Sequence, residues 1–150
     1  MDTADAVRME ADERDEFLGT SGVGVLSLAV SRTESPHSVP VSYGYDPTES
    51  AFYFRLAVGP KSGKGELENR AVTFVTVGTV DDRWKSVVAN GRLRSTTDEA
   101  IETEALAGLD RVLTIPLFDV FGRPTSDVPF EFYQLQPEQL TGRVERYSLE

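Results

Sequence analysis

No cysteine occurs among the 150 residues, which excludes disulfides, thiolate zinc sites and cysteine nucleophiles. His37 is the only histidine, so a histidine-rich metal site and two-histidine chemistry are excluded as well. A metal would need an all-oxygen site, and no Asp/Glu run has the spacing of a calcium loop. Lysine is scarce: Lys61, Lys64 and Lys85 are the only three. No apolar run is long enough to span a bilayer. The acidic opening MDTADAVRMEADERDEF lacks the basic-then-apolar order of a secretory signal. A soluble, cytoplasmic protein is expected.

What is present in excess is negative charge, 25 Asp plus Glu against 15 Lys plus Arg, for a net −10. Such a surface repels nucleic-acid phosphates and anionic lipids, so neither partner is expected. Acidic, lysine-poor and cysteine-free composition also suits a salt-adapted, haloarchaeal-type cytoplasm; an ordinary acidic protein is the alternative. The length fits one domain over 1–150, large enough to bury a substantial core.

Along the chain, Asp5 to Leu18 has helix-forming composition, with Gly19 placed for a left-handed C-terminal cap. Strand patterning follows over Val23–Val30, then over His37–Tyr45 after a turn at Ser31–Pro36, then over Ala51–Ala57. A glycine-containing loop spans Val58–Gly65 and a helical turn Glu66–Asn69. Ala71–Val77 is the clearest strand, and Trp84–Arg94 is a longer one in which Gly91 predicts a bulge or tight bend. Asp98–Val112 predicts a helix with Ile101, Ala105, Leu109 and Val112 on one face. Phe130–Leu135 and Thr141–Tyr147 complete the pattern. The first three strands leave no room for crossover helices. The expected fold is mainly β, an antiparallel split barrel of six to seven strands with a few peripheral helices.

The segment Gly59–Pro60–Lys61–Ser62–Gly63–Lys64–Gly65 carries the strongest chemical signal. A loop that wraps a phosphate wants flexible backbone amides, a hydroxyl donor and a cation. Glycines, Ser62 and Lys64 supply these, and two of the three lysines fall here; a solvated turn is the plainer alternative. A nucleotide P-loop is rejected: Gly59 to Gly63 is one residue short, and Gly65 stands where magnesium needs Ser or Thr.

The order HSVPVSYGYD, AFYFRL, SGKGELEN, AVTFVTV, WKSVVANGRL resembles the FMN-binding split barrels related to pyridoxamine 5′-phosphate oxidase, from about Val23 to Arg94. A weaker echo lies at FEFYQLQPEQLTGR, and the chain resembles a short, divergent member. The resemblance implies that Ser62 and Lys64 grip the FMN phosphate. It implies that Phe54, Arg55 and Leu56 line the ribityl chain, and that Pro40, Val41 and Ser42 lie against the isoalloxazine ring. Ser86, five positions before Gly91, is implied at the polar edge of the ring. Lys85 is a candidate for the phosphate or the flavin carbonyl edge. Trp84 is a candidate for stacking, with a core or interface role as its alternative. Arg55 suits phosphate as a fork but also suits an outward strand position. His37 is either a packing residue or a proton donor. No catalytic residue is assigned.

The pattern also departs from the family. The tail TGRVERYSLE keeps Arg143 and Arg146 but lacks the oxidase's Arg–Leu–His element and tryptophan, which argues against vitamin B6 oxidation. The spacing from Arg55 to Ser62 is longer than the family's. The resemblance implies a flavin-dependent oxidoreductase or flavin reductase-like protein with FMN at a homodimer interface, the partner contributing from Leu113–Pro129. The alternative is a non-catalytic flavin or deazaflavin binder. Haem has only His37 or a methionine as ligands, which argues against it.

Overall fold

The computed structural model describes residues 4–30, 32–57, 67–111 and 130–147. Its elements are β1 (Ala4–Arg8), α1 (Ala11–Leu18), β2 (Ser21–Leu28), β3 (His37–Asp46), β4 (Ala51–Ala57), β5 (Ala71–Val80) and β6 (Arg83–Thr96). A 3-10 turn at Asp98–Ala100 leads into α2 (Thr103–Arg111), and β7 (Phe130–Leu135) and β8 (Gln139–Tyr147) follow. All eight strands form one antiparallel sheet in the order β1-β8-β6-β5-β2-β3-β4-β7. The β6–β7 pairing joins the sheet to itself, so β6, β5, β2, β3, β4 and β7 form a closed six-strand barrel with β8 and β1 as an appended wing.

The closure follows from the length of β6. Its first part pairs with β5 on one side, Val80↔Arg83 through Ala71↔Arg92, and with β8 on the other, Lys85↔Val144 through Asn90↔Gln139. Its last four residues, Leu93 to Thr96, pair with Leu135 to Phe132 of β7. Alternation sends one side chain in two to the interior. Leu26 and Leu28, Tyr43 and Tyr45, Phe52 and Phe54, Val72 and Phe74, Val87 and Ala89, and Tyr133 and Leu135 fill the core. Phe74 is its centre, 5.3 Å from the rings of Tyr43 and Phe52 and 5.1 Å from Phe54. These are favourable aromatic spacings.

α1 covers one end of the barrel. Tyr43 donates to the Leu18 carbonyl at 2.8 Å, and Tyr45 donates to Asp15 Oδ1 at 2.7 Å. α2 packs on the outer side, where Ile101, Ala105 and Leu109 meet Ala51 and Tyr53 of β4. Its first turn is capped by Glu102, whose carboxylate accepts the Glu104 and Ala105 N–H groups at 3.0 and 2.9 Å. Gly44 of β3 passes directly beneath it: a Cβ there would stand 2.3 Å from the Ala105 carbonyl oxygen.

Most of the expected elements are found, with three differences. Residues 4–8 form a strand, not the start of a helix, because Ala4–Arg8 pairs with Tyr147–Arg143 of β8. Of the bulge or tight bend expected at Gly91, a bulge against β5 is absent, since the register runs through Val72↔Gly91 unbroken. Gly91 lies where β6 leaves β8 at Asn90 and takes up β7 at Leu93. It is also a point of close approach, where a Cβ would lie 2.8 Å from Leu135 Cδ1. The expected Asp98–Val112 helix is split into the 3-10 turn and α2, with Ile101, Ala105 and Leu109 buried as expected. Gly19 caps α1 with a positive φ of +60°, but its ψ of −149° lies outside the left-handed helical region that was expected; its N–H donates to Asp15 O at 3.0 Å. Val58–Glu66 and Val112–Pro129 lie outside the described residues. No described helix is long and apolar enough to cross a membrane.

Candidate functional site on the outer barrel face

The outer faces of β2, β3, β5 and β6 carry an apolar strip. Val23 stands opposite Ser42, and Val25 opposite both Pro40 and Val75. Val75 stands opposite Val88, and Val77 opposite Ser86. Val23, Val25, Val77 and Trp84 are 45%, 43%, 59% and 55% exposed. These are large values for apolar side chains grouped on one sheet face. The β2–β5 edge is tightened there by Thr76, whose hydroxyl donates to the Val23 carbonyl at 2.8 Å.

The strip gathers five of the residues singled out in the sequence. Pro40 and Ser42 face outward from β3, Trp84 and Ser86 from β6, and Arg55 from β4 between the inward Phe54 and Leu56. Continuing the Tyr43↔Phe54 register by one residue sets Ser42 opposite Arg55, which itself pairs with Phe132. Ser42 is 7% exposed, and Arg55 is half-buried. The strip therefore has apolar ground in the middle, hydroxyls at Ser42 and Ser86, and a guanidinium at the β4 side.

The other residues lie elsewhere. Val41, Phe54 and Leu56 turn into the core at 7%, 0% and 2% exposure, so their side chains pack the barrel. Lys85 points to the opposite side of β6 from Ser86, where its Nζ meets Glu13 Oε2 of α1 at 3.1 Å. Ser62 and Lys64 lie outside the described residues. His37 opens β3 opposite Leu28 and is half-buried. Met9 is buried in the core. Next to α2, burial pushes the Tyr53 hydroxyl above its ordinary range, opposed by the Gln134 amide that donates to it at 3.1 Å.

The exposed valines are what sequence reading missed. Their signal was present in AVTFVTV, where the polar Thr76 is buried and the apolar Val77 is exposed. A half-buried strand in water normally puts its polar residues outward. The inversion leaves an apolar outer face exposed.

A six-strand split barrel with an apolar, hydroxyl- and arginine-flanked outer face defines the class of protein. The chain belongs to the pyridoxamine 5′-phosphate oxidase family, whose model matches residues 10–144. No curated protein sequence matches it. Among solved structures it is similar to a FAD-binding protein from Mesorhizobium loti, at 22% identity and a TM-score of 0.68 over 96% of this chain and 99% of that one. It is similar to the FAD binding protein from Mycobacterium smegmatis, at 22% identity and TM-score 0.61 over 93% and 100%. The FAD and heme binding protein from Mycobacterium smegmatis follows at 12% identity and TM-score 0.61 over 94% and 73%. At these identities the likeness is one of fold.

Proposed function

We propose that the chain is a flavin-binding protein that holds FMN against the outer barrel strip and serves a flavin-dependent oxidoreductase or flavin reductase-like reaction on a small molecule. The observation that carries this reading is the strip itself: apolar side chains, exposed against their chemistry, bracketed by Ser42, Ser86 and Arg55. A planar ring system fits the valines, the two hydroxyls suit its polar edge, and Arg55 suits an anionic substituent. Flavin-binding proteins among its structural neighbours support the reading. Ser62 and Lys64 are assigned to the flavin phosphate by the family resemblance, Pro40 to the ring and Trp84 to stacking near it. Lys85 is left out because its ammonium is engaged with Glu13.

A bound flavin would supply the electron transfer; the protein's part is binding, orientation and exclusion of water. In this reading a second copy of the chain covers the strip, so that the cofactor lies between two protomers. Haem is not proposed: Met9 is sealed in the core, and the described residues leave His37 as the one histidine or methionine able to serve as a ligand. The test is an absorbance and fluorescence spectrum of the purified protein after incubation with FMN and removal of the excess. Two flavin bands at one FMN per chain are expected. A protein that stays colourless overturns the reading, and a single violet band from the natural isolate replaces FMN with a deazaflavin.

A further inference from the structure

One step along the same outer face, towards the end where the Ala29 N–H donates to the Ala71 carbonyl, lies a groove of about 360 Å³. That is the size of a small-molecule pocket. Its floor is polar where the strip is apolar. Ser27, Thr73 and Asn90 stand side by side across β2, β5 and β6. The Thr73 hydroxyl donates to Asn90 Oδ1 at 2.7 Å, which leaves the amide Nδ2 as a donor at the floor. Arg92 lies two residues on along the same face of β6, about 7 Å away. It gives one Nη to the Asn69 carbonyl at 2.9 Å, and among the described residues the other donors of its fork are unengaged. Glu138 is held at the rim by its own N–H, which donates to the Asn90 carbonyl at 2.8 Å. Pro36 supplies an apolar wall.

These three polar groups match the three parts of a nucleotide. An asparagine amide pairs with the edge of adenine. A carboxylate takes ribose hydroxyls. A guanidinium takes phosphate, and here offsets the acidity of the chain. A free amino acid would engage Arg92 and Glu138 but would leave the Asn90 edge and most of the volume unused. Thr73 and Val75 are neighbours on one face of β5, so the groove is continuous with the strip. We propose that the groove binds the adenosine monophosphate moiety of a dinucleotide whose other half lies on the strip. The placement of that other half rests on the flavin reading above. Two sources share this chemistry, a flavin dinucleotide and a nicotinamide dinucleotide electron donor.

The experiment is calorimetric titration of the full chain with 5′-AMP, FMN, FAD and NADH in turn, repeated on Asn90→Leu and Arg92→Gln. Saturable AMP binding is expected, weakened roughly tenfold or more in each variant, with FMN affinity unchanged. FAD binding tighter than FMN, with the advantage lost in both variants, assigns the moiety to the flavin. Equal FAD and FMN affinities, with NADH displacing AMP, assign it to the donor. Absence of saturable AMP binding by the folded wild-type protein overturns the proposal, as does AMP binding that both variants retain. Should Asn90→Leu unfold through loss of the Thr73 hydrogen bond, exposed Arg92→Gln carries the test. AMP binding without any FMN binding would sink the flavin reading and leave the groove standing.

Discussion

Asp81 and Asp82 form the two-residue turn between β5 and β6 with φ of +53° and +63°. That geometry favours Asn-Gly or Asp-Gly, because a Cβ at positive φ crowds the backbone. Asp82→Gly is expected to raise stability by roughly 0.5–1 kcal/mol, read as a higher urea midpoint at unchanged slope. The two tyrosines under α1 give a pH prediction. Tyr43 and Tyr45 are each pushed up from 10.0 to about 12, first by burial, then for Tyr43 by Tyr45 and for Tyr45 by its hydrogen bond to Asp15. Folding favours their neutral forms, so this contribution is intact below pH 10 and is lost as pH rises through about 12. Denaturation midpoints followed across that range should fall steeply in the wild type and less steeply in Tyr45→Phe. That variant should lose about 1 kcal/mol at neutral pH for its missing hydrogen bond. Under the flavin reading, Lys64→Ala should weaken FMN by roughly 1.5–3 kcal/mol, the range for a hydrogen bond to a charged group; fluorescence titration measures it. At this scale the sequence showed which residue types mattered better than where they point. Lys85 and Ser86 are adjacent in sequence yet lie on opposite sides of β6, and only the partners of the strand decide which side faces the barrel.

Among the elements, the strands β2 to β8 were legible from their patterns, but the pairings between strands distant in sequence were not. β2, β3 and β4 follow one another as a meander, and their alternation and turn residues were enough. β1 was not legible. ADAVR reads as helical by composition, yet it becomes a strand because β8, more than 130 residues later, offers it an edge. β6 itself was legible as a strand and pairs with its neighbour β5, but its pairings with β7 and β8 are encoded by no local pattern. The seating of α2 is set by a missing side chain. Gly44→Ala would press a methyl against the Ala105 carbonyl, so α2 must shift away from β3. A loss of about 1–3 kcal/mol is expected, the usual cost of overpacking. Chemical denaturation should show it, and near-ultraviolet dichroism of the neighbouring Tyr53 should change with it.

The molecule as a whole carries a net charge of −10, and this self-repulsion opposes compaction. Molar KCl shortens the Debye length to about 3 Å, so the melting temperature should rise from dilute buffer to molar salt. A melting temperature that does not change with salt would remove the case for a salt-adapted protein. Fold class was readable at this scale, from strand number and spacing. The candidate site was readable only in part. Pro40, Ser42, Arg55 and Ser86, singled out by the resemblance, share one outer face, but the valines that lie between them are visible as a face only once the barrel is closed.

The closure itself has a consequence for how the molecule breathes. β6 is held to β5 over ten paired positions but to β7 over four, Leu93 to Thr96. The ring has two four-pair seams between strands distant in the chain, β6–β7 and β2–β5, and contacts between residues far apart in sequence are slow to form. The amide protons of Arg94 and Thr96, on the β7 side of β6, should exchange with deuterium ahead of those in Arg83–Arg92, whereas Leu93 and Ser95 donate to the Arg70 carbonyl and the Glu68 carboxylate instead. Exchange that begins at β6–β7 would mean that the barrel opens there, as a sheet unrolling from β7, while the four β2–β5 pairs around Phe74 hold.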